Sequence, residues 1–234
     1  MPGFHKLVVT AEKQCLRGVP LHRRGERRVA RGRARVLAEA WATDLQRIAK
    51  SDREARQSQL DMNRAGLLAN DGKIVIATLI EHFASVSRRI SVSAHVDGEI
   101  GLIVPVSSLT SIPAQKPALT PLGHPTLHKL SQTERNEWYA QIIAAEVLLA
   151  AKEALSIAVG TPGARIVAVD GRGVSLLAAR VSSQRLSGAD WSRGAWSILS
   201  TIDPQLRCDA RGRTLALHTI DLRRDPEFGP LIRQ

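Results

Sequence analysis

The sequence predicts an α+β protein: an N-terminal helical pair with a β-hairpin, followed by a C-terminal α-β-β-α-β-α layer. Three observations predict it. Apolar residues recur at helical spacing over 29–48 and again over 76–90. The period then changes to two on either side of Asp97-Gly98. Beyond a proline-rich stretch, a serine capping box opens a further helix, and two apolar runs follow it around Gly171-Arg172-Gly173.

Taken in order, residues 5–9 read as a short strand. Residues 17–35, with Gly18, Pro20, Gly25 and Gly32, open as a loop before helical periodicity takes over. Val29, Val36, Leu37, Ala40, Trp41, Leu45 and Ile48 form one apolar helix face, and the polar run 51–64 carries that helix into solvent or along an edge. After the break at Asn70-Asp71-Gly72, a second helix of about five turns is expected on Ile76, Leu79, Ile80, Phe83, Val86 and Ile90. Asp97-Gly98 between alternating runs is a hairpin signal, because both central residues of a type I′ turn need positive φ.

Residues 111–128 carry Pro113, Pro117, Pro121 and Pro125, show no periodicity and cannot hold a central strand or a helix interior, so they read as a linker. From Ser131 and Glu134 a helix runs to about 159, burying Tyr139, Ile143, Val147, Ala151, Ala154, Leu155 and Ala158, with Ile142 and Leu149 widening its apolar stripe. Two buried antiparallel strands (164–170 and 174–181), a short helix (189–200), a strand (214–220) and a final turn of helix (225–233) complete a sheet with helices on one side. The expected divisions are a basic arm (1–35), the helical pair with its hairpin (36–108), a proline-rich linker (109–130) and the α+β domain (131–234).

The 234 residues are 44% apolar and 24% charged, an ordinary globular balance. Cys15 and Cys208 are too few for a disulfide framework or a structural zinc site, so a reducing, cytoplasmic setting is expected. The most apolar segment, 142–149, contains Glu146 and is too short to span a bilayer, so no membrane is expected. The formal charge is +11, and residues 1–50 hold twelve Lys/Arg against four Asp/Glu, a net +8. Such an asymmetry suggests a segment built for a polyanion. Arg outnumbers Lys 26 to 7, which coding bias alone can produce, but bias does not explain the local excess of positive over negative charge.

Signatures of common catalysis are absent. There is no phosphate-binding G-x4-G-K-[ST] loop, and Gly171-x-Gly173 lacks the third glycine of a dinucleotide site because Leu176 stands there. No G-x-S-x-G elbow or H-E-x-x-H helix occurs. His124 and His128 have the spacing of half a zinc site but no cysteine nearby, and Pro125 lies between them. Glu146 and Glu153 fall on the flank of the helix after Ser131, where a carboxylate can be partly buried.

A helix with a glutamate, a strand ending in aspartate and a further strand resembles, in element order, the restriction-endonuclease-like nucleases. That resemblance makes Glu146, Asp170 and Arg180 the candidates for a degenerate nuclease site. The run 174–181 nevertheless holds no acid to share a metal ion and no lysine, which removes the means of activating water. Trp41, Trp191 and Trp196 read as packing residues, whereas Trp138 projects onto a polar stripe and suggests contact with the N-terminal half or a partner chain.

The function expected is therefore a non-enzymatic nucleic-acid-binding or accessory protein, with no catalytic residues, cofactor or metal. Arg23, Arg24, Arg27, Arg28, Arg31, Arg33 and Arg35 are its candidate phosphate contacts, with Arg24, Arg28, Arg31 and Arg35 sharing one helix face. The alternatives are a protein–protein interaction or scaffold subunit docking an acidic partner or another copy of itself, and the degenerate nuclease.

Overall fold

The computed structural model describes residues 3–86, 89–211 and 216–232. Two compact units divide at Met62/Asn63.

The first unit holds helix α1 (Phe4–Cys15) and most of the 45-residue helix α2 (Arg24–Leu68). Residues 5–9, expected as a strand, are helical: Leu7, Val8 and Ala11 stand three and four residues apart and so share one helix face, which packs on α2. The basic stretch opens as a loop through Arg23, as expected, but helix takes over already at Arg24, and Gly25 and Gly32 are carried within it. Arginine and alanine are strong helix formers and outweigh two glycines over such a length. The packing face also differs from the periodicity. Ala30, Ala34 and Ala38 are buried, whereas Val29, Val36 and Ile48 are exposed. Ala11 of α1 meets Ala34 and Ala38, with Leu7, Val8, Leu37 and Trp41 around them, so small residues let the two helices approach closely.

The second unit is built on a six-stranded sheet of order β1-β2-β5-β6-β7-β8. Helix α3 (Gly72–Ser85) starts at Asp71, whose carboxylate accepts the N–H groups of Lys73 and Ile74. It ends short of Ile90, which precedes strand β1 (Ser91–Val96). β1 and β2 (Glu99–Pro105) form the expected hairpin, with Asp97 at φ 54° and Gly98 at φ 80° in the turn.

The proline-rich segment is more regular than expected: a 3-10 turn (Leu109–Ser111) leads to a separate exposed hairpin of β3 (Gln115–Leu119) and β4 (Pro125–Lys129). Two-stranded edges accept Pro117 and Pro125 because their missing N–H groups can face solvent. Helix α4 (Gln132–Ile157) follows, with its capping box formed: Ser131 Oγ accepts from Glu134 N and Glu134 accepts from Ser131 N. It crosses back so that β5 (Gly163–Val169) pairs parallel to β2 and antiparallel to β6 (Ser175–Ser182).

Helix α5 (Ser183–Ser187) is an addition to the expected elements. Next come α6 (Ala195–Ile202), shorter than expected, and strands β7 (Arg207–Arg211) and β8 (Ala216–His218). Thr214 and Leu215, expected in the last strand, lie outside the described residues, as does Arg233 beyond the short α7 (Gly229–Ile232).

Alternation along the strands fixes two cores. Ile100, Leu102, Ala164, Ile166, Leu177 and Ala179 point to α4, α3 and α6. The opposite face is not left open, as a one-sided layer would leave it: Val167 and Ala178 pack against Leu222, Phe228 and Leu231 of the C-terminal segment.

Candidate functional site

Six of the seven candidate arginines lie on α2, and Arg23 immediately precedes it. At 100° per residue, Arg24, Arg28, Arg31 and Arg35 fall within a 60° sector, spread along about 16 Å of helix. Arg24, Arg28 and Arg31 are exposed and have no carboxylate partner among the described residues. Arg35 has only a 3.6 Å contact with Glu39 one turn on, and both side chains are more than half exposed.

The other three are not part of this row. Arg23 pairs with Glu26 at 3.0 Å. Arg27 is half-buried and donates to the Val19 carbonyl, tying the start of α2 to the loop before it. Arg33 points to the opposite side of the helix from Arg24. Four of the seven thus stand together as one exposed row.

A second cluster of charge, not anticipated from the sequence, lies in the sheet. Glu99, Arg165 and Arg180 share the strand face that looks toward the C-terminal segment, and Arg165 and Arg180 are directly opposed in register. The buried Glu99 carboxylate separates them: it accepts from Arg165 Nε at 2.8 Å and from Arg180 Nε at 2.9 Å. Arg165 also binds Asp97, and Arg180 reaches Glu227 at 3.5 Å. Arg207 links Asp225 and Glu227 at the same end. Burial acts to deprotonate Arg165, but hydrogen bonds to Asp97 and Glu99 outweigh it and raise its pKa. Asp225 is held below its ordinary value: burial opposes this, and the N–H groups of Glu227 and Phe228 together with Arg207 overcome it.

Beside this network is a polar cleft of about 880 Å³ lined by Thr161, Arg180, Ser182, Gln184, Arg185 and Asp203, among others. Its buried polar groups are already engaged. Asp203 accepts from Arg180 N and Gln205 N, Thr161 donates to Asn70, and Arg185 donates to the Ile202 carbonyl. The cleft therefore holds loops together with the same atoms that a ligand would need.

The three residues suggested by the nuclease resemblance do not converge. Glu146 and Asp170 both lie near Tyr139, whose hydroxyl is raised above its ordinary pKa by burial and then by these two carboxylates. Arg180, however, pairs with Arg165, five residues back along β5 from Asp170, a separation of about 17 Å. Asp170 is also committed to its turn, accepting from Arg172 N and Val174 N. Among the described residues no group of three or more His, Cys, Asp or Glu could hold a metal ion, and His124 and His128 sit on an exposed hairpin. Among the same residues, no helix is long and apolar enough to cross a membrane.

The α2 row is legible in the sequence because repeated arginines declare themselves. Glu99–Arg165–Arg180 carries a weaker signal: counting strand parity back from the Gly171-Arg172-Gly173 turn places both arginines on one face, where two cations need a shared anion. No family model, curated protein or solved structure matches the chain.

Proposed function

We propose that the chain binds nucleic acid through the phosphate backbone, using Arg24, Arg28, Arg31 and Arg35 on α2. One observation carries this reading: four exposed guanidiniums stand in a row on a continuous helix, and three of them lack a carboxylate partner among the described residues. A row of cations is stable in isolation only if solvent or a polyanion screens its self-repulsion. Guanidinium forks bind phosphate oxygens bidentately, and such contacts position a protein without reading bases, so binding is weakly sequence-specific.

The test is fluorescence anisotropy on labelled duplex and single-stranded DNA and RNA across a salt series. It compares the wild type with a variant carrying Arg24→Ala, Arg28→Ala, Arg31→Ala and Arg35→Ala, which keeps the helix because alanine favours it. On duplex DNA the slope of log K against log[salt] falls by about 0.9 for each phosphate that an arginine no longer neutralises, so by about 3.6 for the four. Absence of binding at low salt, or an unchanged slope, overturns the reading.

The same helix favours a second reading, an acidic protein partner. Val29 and Val36 are 57% and 67% exposed about a third of a turn round the helix from the arginine row, beside a shallow groove with Cys15, Gly32, Leu37 and Ala40. Apolar contact survives high salt, whereas phosphate contact does not, so retention of a protein partner at high salt distinguishes the two.

A further inference from the structure

Helix α4 buries one face deeply and leaves a second apolar stripe uncovered. Trp138, Ile142, Ala145 and Leu149 are spaced by four, three and four residues, the repeat of a helix-pairing seam. Trp138 is 42% exposed, Ile142 37% and Leu149 48%, although they occupy the middle of a helix whose other side is closed. Placed at 100° per residue, they lie within a 60° sector. The small Ala145 at the middle lets a second backbone come close.

Charge on one flank of this stripe says what fits it. Glu137 lies toward the helix N-terminus and Lys152 toward the C-terminus on the same side of the seam. Lys152 sits 4.8 Å from the ring centre of Trp191, which walls that flank. In a two-fold antiparallel pair centred on Ala145, like flanks of the two helices meet. Glu137 of one copy then faces Lys152 of the other, and Ile142 faces Leu149, twice over by symmetry. In a parallel two-fold pair unlike flanks meet instead, so Glu137 and Lys152, which share one flank, would not pair across it.

We infer that a second copy of this chain docks on the exposed stripe of α4, forming a two-fold antiparallel helix pair centred on Ala145. The strip from Trp138 to Leu149 is about 16 Å long and about 10 Å wide, well under the about 800 Å² per partner of a standard interface. The dimer is therefore reversible and its population rises with concentration. This does not depend on the nucleic-acid reading, since the residues used lie on a different helix.

Sedimentation velocity of the full chain over a concentration series tests it. The wild type shifts from monomer toward dimer as concentration rises, and Ile142→Glu with Leu149→Glu holds it monomeric; both sites are exposed, and circular dichroism checks that the fold is kept. Glu137→Lys alone and Lys152→Glu alone each weaken the dimer by about fivefold or more, since two symmetric surface pairs turn repulsive. Combined in one chain, the two substitutions restore it. A wild type that stays monomeric throughout overturns the proposal, including one in which Trp138 is shielded from quencher by the same chain. So does a dimer indifferent to the stripe variants, or a double charge reversal that associates no better than the single ones.

Discussion

Glu99 is one buried carboxylate between two guanidiniums, and what it contributes depends on which partner is removed. Glu99→Ala leaves Arg165 buried with only the exposed Asp97 as a charged partner, and is expected to cost about 3 kcal/mol in urea unfolding. Replacing Glu99 with Leu and Arg165 with Met together recovers most of that loss, because the desolvation of both charges disappears with them. Arg180→Ala costs less, about 1 kcal/mol, since its side chain is half exposed.

Two glutamates on α4 give opposite pH dependences. Burial raises the Glu146 carboxyl above the usual 4.5, so the stability it contributes is present below that value and lost as pH rises through its folded pKa. Glu146→Gln is therefore more stable than the wild type at neutral pH, with the advantage vanishing in acid. Glu134 is lowered to about 2 by Lys116 and by the Ser131 backbone and hydroxyl. Its contribution is present above 4.5 and lost as pH falls toward 2, so Glu134→Gln is the less stable chain at neutral pH. Thermal unfolding across pH 2 to 7 separates the two.

Among the elements, helix ends and turns are the most legible in the sequence, because their signals are local. Ser131 and Glu134 satisfy each other's amides as their spacing implies, and Ser131→Ala is expected to cost about 1 kcal/mol in chemical unfolding. Asp97-Gly98 forms its turn where positive φ requires it, and Gly98→Ala strains that turn. Gly32 behaves oppositely: it sits in a helix interior with open space around it, so Gly32→Ala stabilises α2 by about 1 kcal/mol. The beginning of α2 is hidden in the sequence because glycine and proline weigh as breakers one at a time, whereas helix propagation sums over the whole segment. The β3–β4 hairpin is hidden for a related reason, since proline excludes a central strand but not an edge.

At the scale of the whole molecule the two units differ in how they are held. The first relies on α1 and α2 meeting through alanines, which bury little area, and residues 51–60 of α2 are exposed throughout. The second encloses a continuous core of leucine, isoleucine, valine and phenylalanine around α4. Amide hydrogen exchange is thus expected to proceed in α1 and α2 well before α4, β5 and β6, as local stability follows buried apolar area. Uniform protection across both units would contradict this.

The sequence by itself determined the α+β class, the Asp97-Gly98 hairpin, the capped central helix and the concentration of arginine near the N-terminus. Each of these depends on neighbours a few residues apart, where spacing alone sets geometry. Only the tertiary structure decided which arginines stand free, that Glu99 joins two guanidiniums across three strands, and that Ile142 and Leu149 lie outside the core they were expected to extend. These outcomes depend on which faces meet across long sequence separations, and a side chain's partner there is set by packing and not by its place in the chain.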